Sequence, residues 1–180
     1  MSKAKRLLEE LLSEDYIFEM SNVFPDETGL KFKIWIPGSM EFQGRKLGHN
    51  PRRIKVDIDQ KNSAPFKIDD LKFAVPTDVK AKDLDDLKNF VIQNKPIILA
   101  HMHGYSSSRE LDSALVKSGE TLTNYSFLER VLFRALGITA KVNMAKVNGD
   151  TIIVNDTEIN GVKKVLSQLE LLTKFKIIGV

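Results

Sequence analysis

The chain has 180 residues, 42% of them hydrophobic and 28% charged, and it contains no cysteine. A chain of this length buries roughly 70% of its extended surface on folding, so it can hold a core without disulfide or metal. The composition excludes wholesale disorder, collagen-like repeats and coiled-coil filaments, and the missing cysteines exclude thiolate zinc sites, iron–sulfur ligation and cysteine nucleophiles, with a cytoplasmic location as the expectation.

The first leucines, Leu7, Leu8, Leu11 and Leu12, recur at helical spacing and predict an amphipathic helix over about residues 3–14. Acidic residues interrupt this stretch, so it does not read as a signal peptide. From Leu30 the period becomes two, with Leu30, Phe32, Ile34 and Ile36 on one face and Lys31, Lys33 and Trp35 on the other, until Pro37-Gly38 stops the strand. A second alternation sets Ile54, Val56 and Ile58 against Lys55, Asp57 and Asp59, and is the predicted antiparallel partner. The segment between the two strands then becomes the long connection of a hairpin.

That connection is where the net positive charge of the chain resides. Arg45, Lys46, Arg52, Arg53 and Lys55, with His49 among them, fall between Phe42 and Val56 without an intervening acid. Without those five, 22 basic residues face 24 acids, so the remainder is slightly acidic although the whole chain carries +3. Two readings follow. Either the segment is a solvated hairpin edge kept soluble by its charges, or it is a surface for polyanions, with arginine forking onto phosphate oxygens and Gly44 and Gly48 letting the backbone approach. Trp35, on the lysine-bearing face of its strand, is open in the same way: it can stack a base or anchor a partner, or a C-terminal element can cover it.

Phe66 to Val75 reads as a short strand or turn region before Pro76, and Lys82 to Asn94 as a helix with Leu84, Leu87 and Val91 inward. Pro96 then suits the first turn of a further helix running through Met102. Ser107 with Glu110 and Ser126 with Glu129 have capping-box spacing, and Gly137 suits a helix stop. Ile138–Val147 and Thr151–Val154 are β-prone runs joined around Asn148-Gly149, a hairpin signal. Val162, Val165, Leu166, Leu169 and Leu172 predict a last helix, and Phe175–Val180 a terminal strand. The order α, β, β, α, α, α, β, β, α, β implies an α+β fold with a mixed or antiparallel sheet, packed helices and a C-terminal αββαβ unit. The polar stretch 113–123 is the expected seam between an N-terminal unit over 1–112, carrying the basic hairpin, and a C-terminal unit over 124–180, with one continuous domain as the alternative.

Between about Gly29 and Tyr105 the strand, the His49-Asn50-Pro51 turn, the following strand and the helix resemble a small bacterial family of unknown function whose genes neighbour toxin–antitoxin modules. That family has a histidine-bearing strand where this chain has Arg52-Arg53-Ile54-Lys55, and the resemblance implies no activity.

Phosphate-binding Gly-x-x-x-x-Gly-Lys loops and Gly-x-Gly-x-x-Gly turns are absent from the sequence. His101 and His103, placed two apart after Ile97-Ile98-Leu99-Ala100, would share one face of a strand and, with Asp112, could hold a catalytic metal. The pattern resembles deubiquitinase-type metalloproteases, but there the serine and aspartate stand three apart and further along, whereas Ser108 and Asp112 are four apart and close to His103. On a helix the two imidazoles point about 200° apart and cannot share an ion. Gly104-Tyr105-Ser106-Ser107-Ser108 resembles a hydrolase nucleophile elbow, yet no histidine follows His103 to complete a triad. The function expected from these residues is non-enzymatic, without cofactor: binding of nucleic acid or of a nucleic-acid-processing protein through residues 42–56 and Trp35, away from any membrane. The alternatives are a metal-dependent hydrolase using His101, His103 and Asp112, and a small inhibitor or accessory subunit that binds a protein partner.

Overall fold

A computed structural model of the chain describes residues 20–23, 29–37, 41–42, 45–46, 52–105, 126–137 and 145–180. The predicted helix over 3–14, the Ser107–Glu110 capping box and the polar stretch 113–123 lie outside them. The chain divides into two compact units, the first reaching to Gly104 and the second continuing from Tyr105. Together their helices and sheets make an α+β fold.

In the first unit, β1 (Met20–Val23), β2 (Lys33–Pro37), β5 (Arg53–Asp57), β6 (Ser63–Lys67) and β7 (Lys72–Phe73) form an antiparallel sheet in the order β1-β2-β5-β6-β7. The expected pairing of the two alternating runs is present, with Lys33 opposite Asp57, Ile34 opposite Val56 and Trp35 opposite Lys55. Alternation sends Ile34, Ile36, Ile54, Val56, Ala64 and Phe66 to one buried face. Against it packs α1 (Ala81–Met102), which contacts β2 and buries Leu87, Phe90 and Val91. Phe66 and Phe73, opposite one another in the ladder, add an edge-to-face ring contact at 5.2 Å.

Four expectations change in this unit. The connection between β2 and β5 is not only a loop, because Glu41–Phe42 (β3) and Arg45–Lys46 (β4) pair as a two-stranded ribbon. β1 had no counterpart in the sequence pattern. The Phe66–Val75 region resolves into the β6–β7 hairpin, with Leu71 in the left-handed conformation at its turn (φ 56°). Pro65 sits inside β6 without breaking the ladder to β5. Its carbonyl accepts from the Ala74 N–H at 2.9 Å, so the position of its missing N–H also faces the short edge strand β7.

The fourth change concerns Pro96, which lies inside α1 instead of opening a new helix. Proline there removes one bond of the helical ladder, to the carbonyl of Ile92. Ile92 is 56% exposed, so that carbonyl lies on the exposed side of the helix, while Ile97 to Met102 are buried and hold the last turns in place. Asn94 is buried too, its Nδ2 donating to the Phe90 carbonyl at 2.9 Å.

The second unit runs α2 (Phe127–Leu136), β8 (Lys146–Asn148), β9 (Thr151–Val154), α3 (Ile159–Gln168) and β10 (Lys176–Gly179), the expected αββαβ order. Its sheet is β10-β9-β8, with β8 antiparallel and β10 parallel to β9, so α3 is the crossover of a parallel pair. The Ser126–Glu129 capping box is complete, and Glu129 Oε2 also accepts the Val147 N–H at 3.1 Å, fixing β8 to the start of α2. Gly137 ends α2 at φ 65°. The β8–β9 turn has Gly149-Asp150 as its central pair, one residue later than the sequence signal, with Gly149 at φ 62° as a type II′ turn requires.

α3 stops at Gln168, four residues before Leu172. Leu171 N–H returns to the Leu166 carbonyl at 2.8 Å and Glu170 N–H to Ser167 at 3.1 Å, with Glu170 at φ 58°. This is a Schellman closure with glutamate where glycine is usual. Leu172 is consequently 41% exposed, whereas Val162, Val165, Leu166 and Leu169 are buried.

Candidate functional site

The side of the five-stranded sheet opposite α1 collects the chemistry that the sequence distributed. Residues directly opposite in an antiparallel ladder share a face, so three cross-strand rows follow from the register. Lys33, Asp57 and Ser63 form one row, Trp35, Lys55 and Pro65 the next, and Arg53, Lys67 and Lys72 the third. Among the residues of these three rows, five basic side chains thus share this face with one carboxylate, Asp57. Lys33, Trp35, Arg53, Lys55, Asp57 and Lys67 are half-buried, and Lys72 is exposed.

Trp35 stands at the centre of the charge. Its indole N–H donates to Asp57 Oδ2 at 2.9 Å, the Lys33 ammonium lies 4.2 Å from the ring centroid, and the Lys55 ammonium lies 4.9 Å from it. The hydrogen bond fixes the ring plane, and the two ammonium groups are attracted to its negative π-surface. At the third row the half-buried Lys67 approaches the exposed Asp70 at 3.9 Å.

Arg52 does not belong to this face. One residue out of phase with Arg53, it shares parity with the buried Ile54, and it forms a bidentate pair with Asp69 at 3.0 and 2.6 Å. Lys95 of α1 reaches the same carboxylate at 3.1 Å. The Arg52 hydrogen bonds, with help from Lys95, hold the Asp69 carboxyl below the usual aspartate range against the opposing effect of its partial burial. Asp69 therefore joins the start of β5 to the helix.

Of the residues singled out in the sequence, Trp35, Arg53 and Lys55 come together on one face. Arg45 and Lys46 occupy β4, where the register sets Lys46 opposite Glu41, and His49 lies outside the described residues. Lys33 was visible beside Trp35, but Lys67 arrives only through the β5–β6 pairing and Lys72 through the β6–β7 pairing.

The histidine pair sits in a different setting. His101 is in the last turn of α1 and buried, and burial holds its imidazole down to about 4, so it is neutral at physiological pH. His103 is the half-buried C-cap, and its N–H returns to the Leu99 carbonyl. The strand placement on which a shared metal depends is therefore replaced by helix, on which residues two apart diverge. Asp112 lies outside the described residues, and among those described no group of three or more histidines or carboxylates converges on a common point. Among the described residues no helix is long and apolar enough to cross a membrane.

No family model, no curated protein and no solved structure matches the chain.

Proposed function

We propose that this is a non-enzymatic nucleic-acid-binding protein that uses the outer face of the five-stranded sheet together with the basic segment of residues 42–56. The observation carrying this reading is the placement of Lys33, Arg53, Lys55, Lys67 and Lys72, from four strands, on the same side of one sheet as Trp35, with Lys33 and Lys55 over its ring. A polyanion recovers affinity from each cation it meets by releasing condensed counterions. In sequence the ribbon lies between β2 and β5, so its Arg45 and Lys46 belong to the same basic stretch of chain as Arg53 and Lys55.

The test is a titration of labelled RNA and DNA, single- and double-stranded, at increasing salt. Contact with about four phosphates gives a log–log slope of about −3.6 on duplex DNA and about −2.8 on single strands. Arg53→Glu combined with Lys55→Glu should weaken binding at least about tenfold. Absence of binding to every nucleic acid at low salt, or binding indifferent to that double reversal, refutes the reading. A nucleic-acid-processing partner that used this face would be displaced by nucleic acid.

A further inference from the structure

Resting on that reading, we infer that the ligand is single-stranded nucleic acid, and that Trp35 is the platform on which one of its bases stacks. Three features of the sheet face lead there.

The first is the position of Trp35 relative to the charges. A platform for single strands needs an aromatic surface bordered by cations, so that a base lies on the ring while the flanking phosphates meet positive charge. Trp35 has Lys33 two residues away on its own strand, Lys55 directly opposite, and Arg53 two residues further along β5. Outward residues on one strand stand about 7 Å apart and neighbouring strands about 5 Å apart, so every one of these cations is within a side chain's reach of a nucleotide seated on the ring.

The second is the state of the indole. Its one hydrogen-bond donor is engaged by Asp57, so what it offers a ligand is π-surface. Lys33 and Lys55 already occupy cation positions over that surface. A base that takes their place on the ring leaves both ammonium groups beside its own phosphates, so cation–π contact is exchanged for phosphate contact.

The third is shape. A sheet face is too broad to enter a groove of a duplex, where an α-helix or a two-stranded ribbon is the fitting element, whereas bases splayed from a single strand lie flat on it. Asp57, the one carboxylate among the three rows, is held by the indole, which leaves stacking and charge as the recognition chemistry and implies little base preference. The ribbon of β3 and β4 is the rival element, and it favours duplex.

Trp35 is the only tryptophan in the chain, so its fluorescence reports this position alone. The full chain is titrated at low salt with oligo(dT), with a mixed-sequence duplex of equal length, and with heparin, a polyanion without bases. Oligo(dT) should quench the emission and bind tighter than the duplex. Trp35→Ala should lower oligo(dT) affinity by between about 5-fold and about 150-fold, the range that base–aromatic stacking provides, and leave heparin affinity within about twofold. If circular dichroism shows Trp35→Ala unfolded, Trp35→Phe and Trp35→Leu replace it. Phenylalanine binding within about threefold of wild type while leucine falls at least about fivefold supports the platform, and equal binding by the two overturns it. Preferential duplex binding with silent tryptophan emission, or equal losses for oligo(dT) and heparin in Trp35→Ala, overturns the single-strand inference while nucleic-acid binding stands. Failure of all nucleic acids to bind overturns both.

Discussion

The indole N–H of Trp35 donates to the carboxylate of Asp57 at 2.9 Å, across the β2–β5 pair, and so places the one acid among the three rows of this sheet face against its central aromatic ring. The contact both orients the ring and keeps a negative charge among the lysines, and two substitutions separate these effects. Asp57→Asn retains an acceptor but removes the charge, so tryptophan emission should stay in place while affinity for polyanions rises about twofold to fivefold, the equivalent of ~0.5–1 kcal/mol of surface electrostatics. Asp57→Ala removes the acceptor as well, and should shift the emission and cost about 0.5–1.5 kcal/mol of stability. Emission spectra and salt-matched titrations of the two variants check this.

Arg52 and Arg53 are neighbours in sequence with opposite duties. Arg52 is locked to Asp69 on the helix side, so Arg52→Ala should lower stability by about 1 kcal/mol, at the upper end for a partly exposed pair because the contact is bidentate and shared with Lys95. Arg52→Lys should not restore it, since an ammonium cannot reproduce the fork. Asp69 adds a pH dependence of definite sign. Its folded pKa lies below that of the unfolded chain, so the stabilisation is complete above the ordinary aspartate value and is lost as pH falls through the folded one. Asp69→Asn should flatten that acid limb in denaturant titrations. Nucleic-acid affinity should respond to Arg53→Ala and change less in Arg52→Ala.

The contrast between those arginines also shows what was legible in the sequence. Period-two alternation around Ile34 and around Ile54 predicted both strands and their pairing, and the same alternation, continued one residue back from Arg53, sets Arg52 on the side of Ile54. Ser126, Glu129 and Gly137 marked α2 because capping chemistry is local. The β6–β7 hairpin was obscure because Pro65 argues against a strand unless its missing N–H faces a short edge, which depends on pairing between distant residues. Lys67 and Lys72 were missed for that reason. The stop of α3 was hidden by Glu170, which takes a left-handed conformation where a glycine would have announced it.

His101 makes the first unit sensitive to mild acid. Burial depresses its imidazole from 6.5 in the unfolded chain to about 4 in the folded one, so between those values the unfolded state binds the extra proton and is favoured. Stability is therefore complete above about pH 6.5 and declines as pH falls toward 4, by about 3 kcal/mol for a shift of this size. His101→Leu should remove that decline. Subtracting the variant's stability from the wild type's at each pH cancels the carboxylates common to both.

Gly179 on β10 lies against the 3-10 turn of Asp156–Glu158. A Cβ at this position would collide with the Asp156 carboxylate and stand 2.7 Å from Ile159 Cδ1. Gly179→Ala should destabilise the second unit by about 1–3 kcal/mol, the range for overpacking. Asp156 is exposed and its carboxylate is the movable obstacle, so Asp156→Ala made together with Gly179→Ala should recover part of the loss. A double-mutant cycle measured by chemical denaturation checks the coupling, and additive effects would place the clash elsewhere.

Three leucines near the end of the second unit test the position of the α3 stop. Period alone puts Leu166, Leu169 and Leu172 on one stripe, but the Schellman closure at Glu170 turns the chain before the third, leaving two buried and one 41% exposed. Truncating a buried leucine loses its transfer free energy and leaves a cavity, together about 2–5 kcal/mol, whereas an exposed one loses less than about 1 kcal/mol. Leu166→Ala and Leu169→Ala should therefore each shift the denaturation midpoint strongly, and Leu172→Ala weakly. If α3 instead continued through Leu172 with its stripe inward, all three would cost alike. Glu170→Gly provides the independent check: relieving the left-handed glutamate should raise stability by about 1 kcal/mol, while in a continuous helix the same glycine would lower it by about that amount.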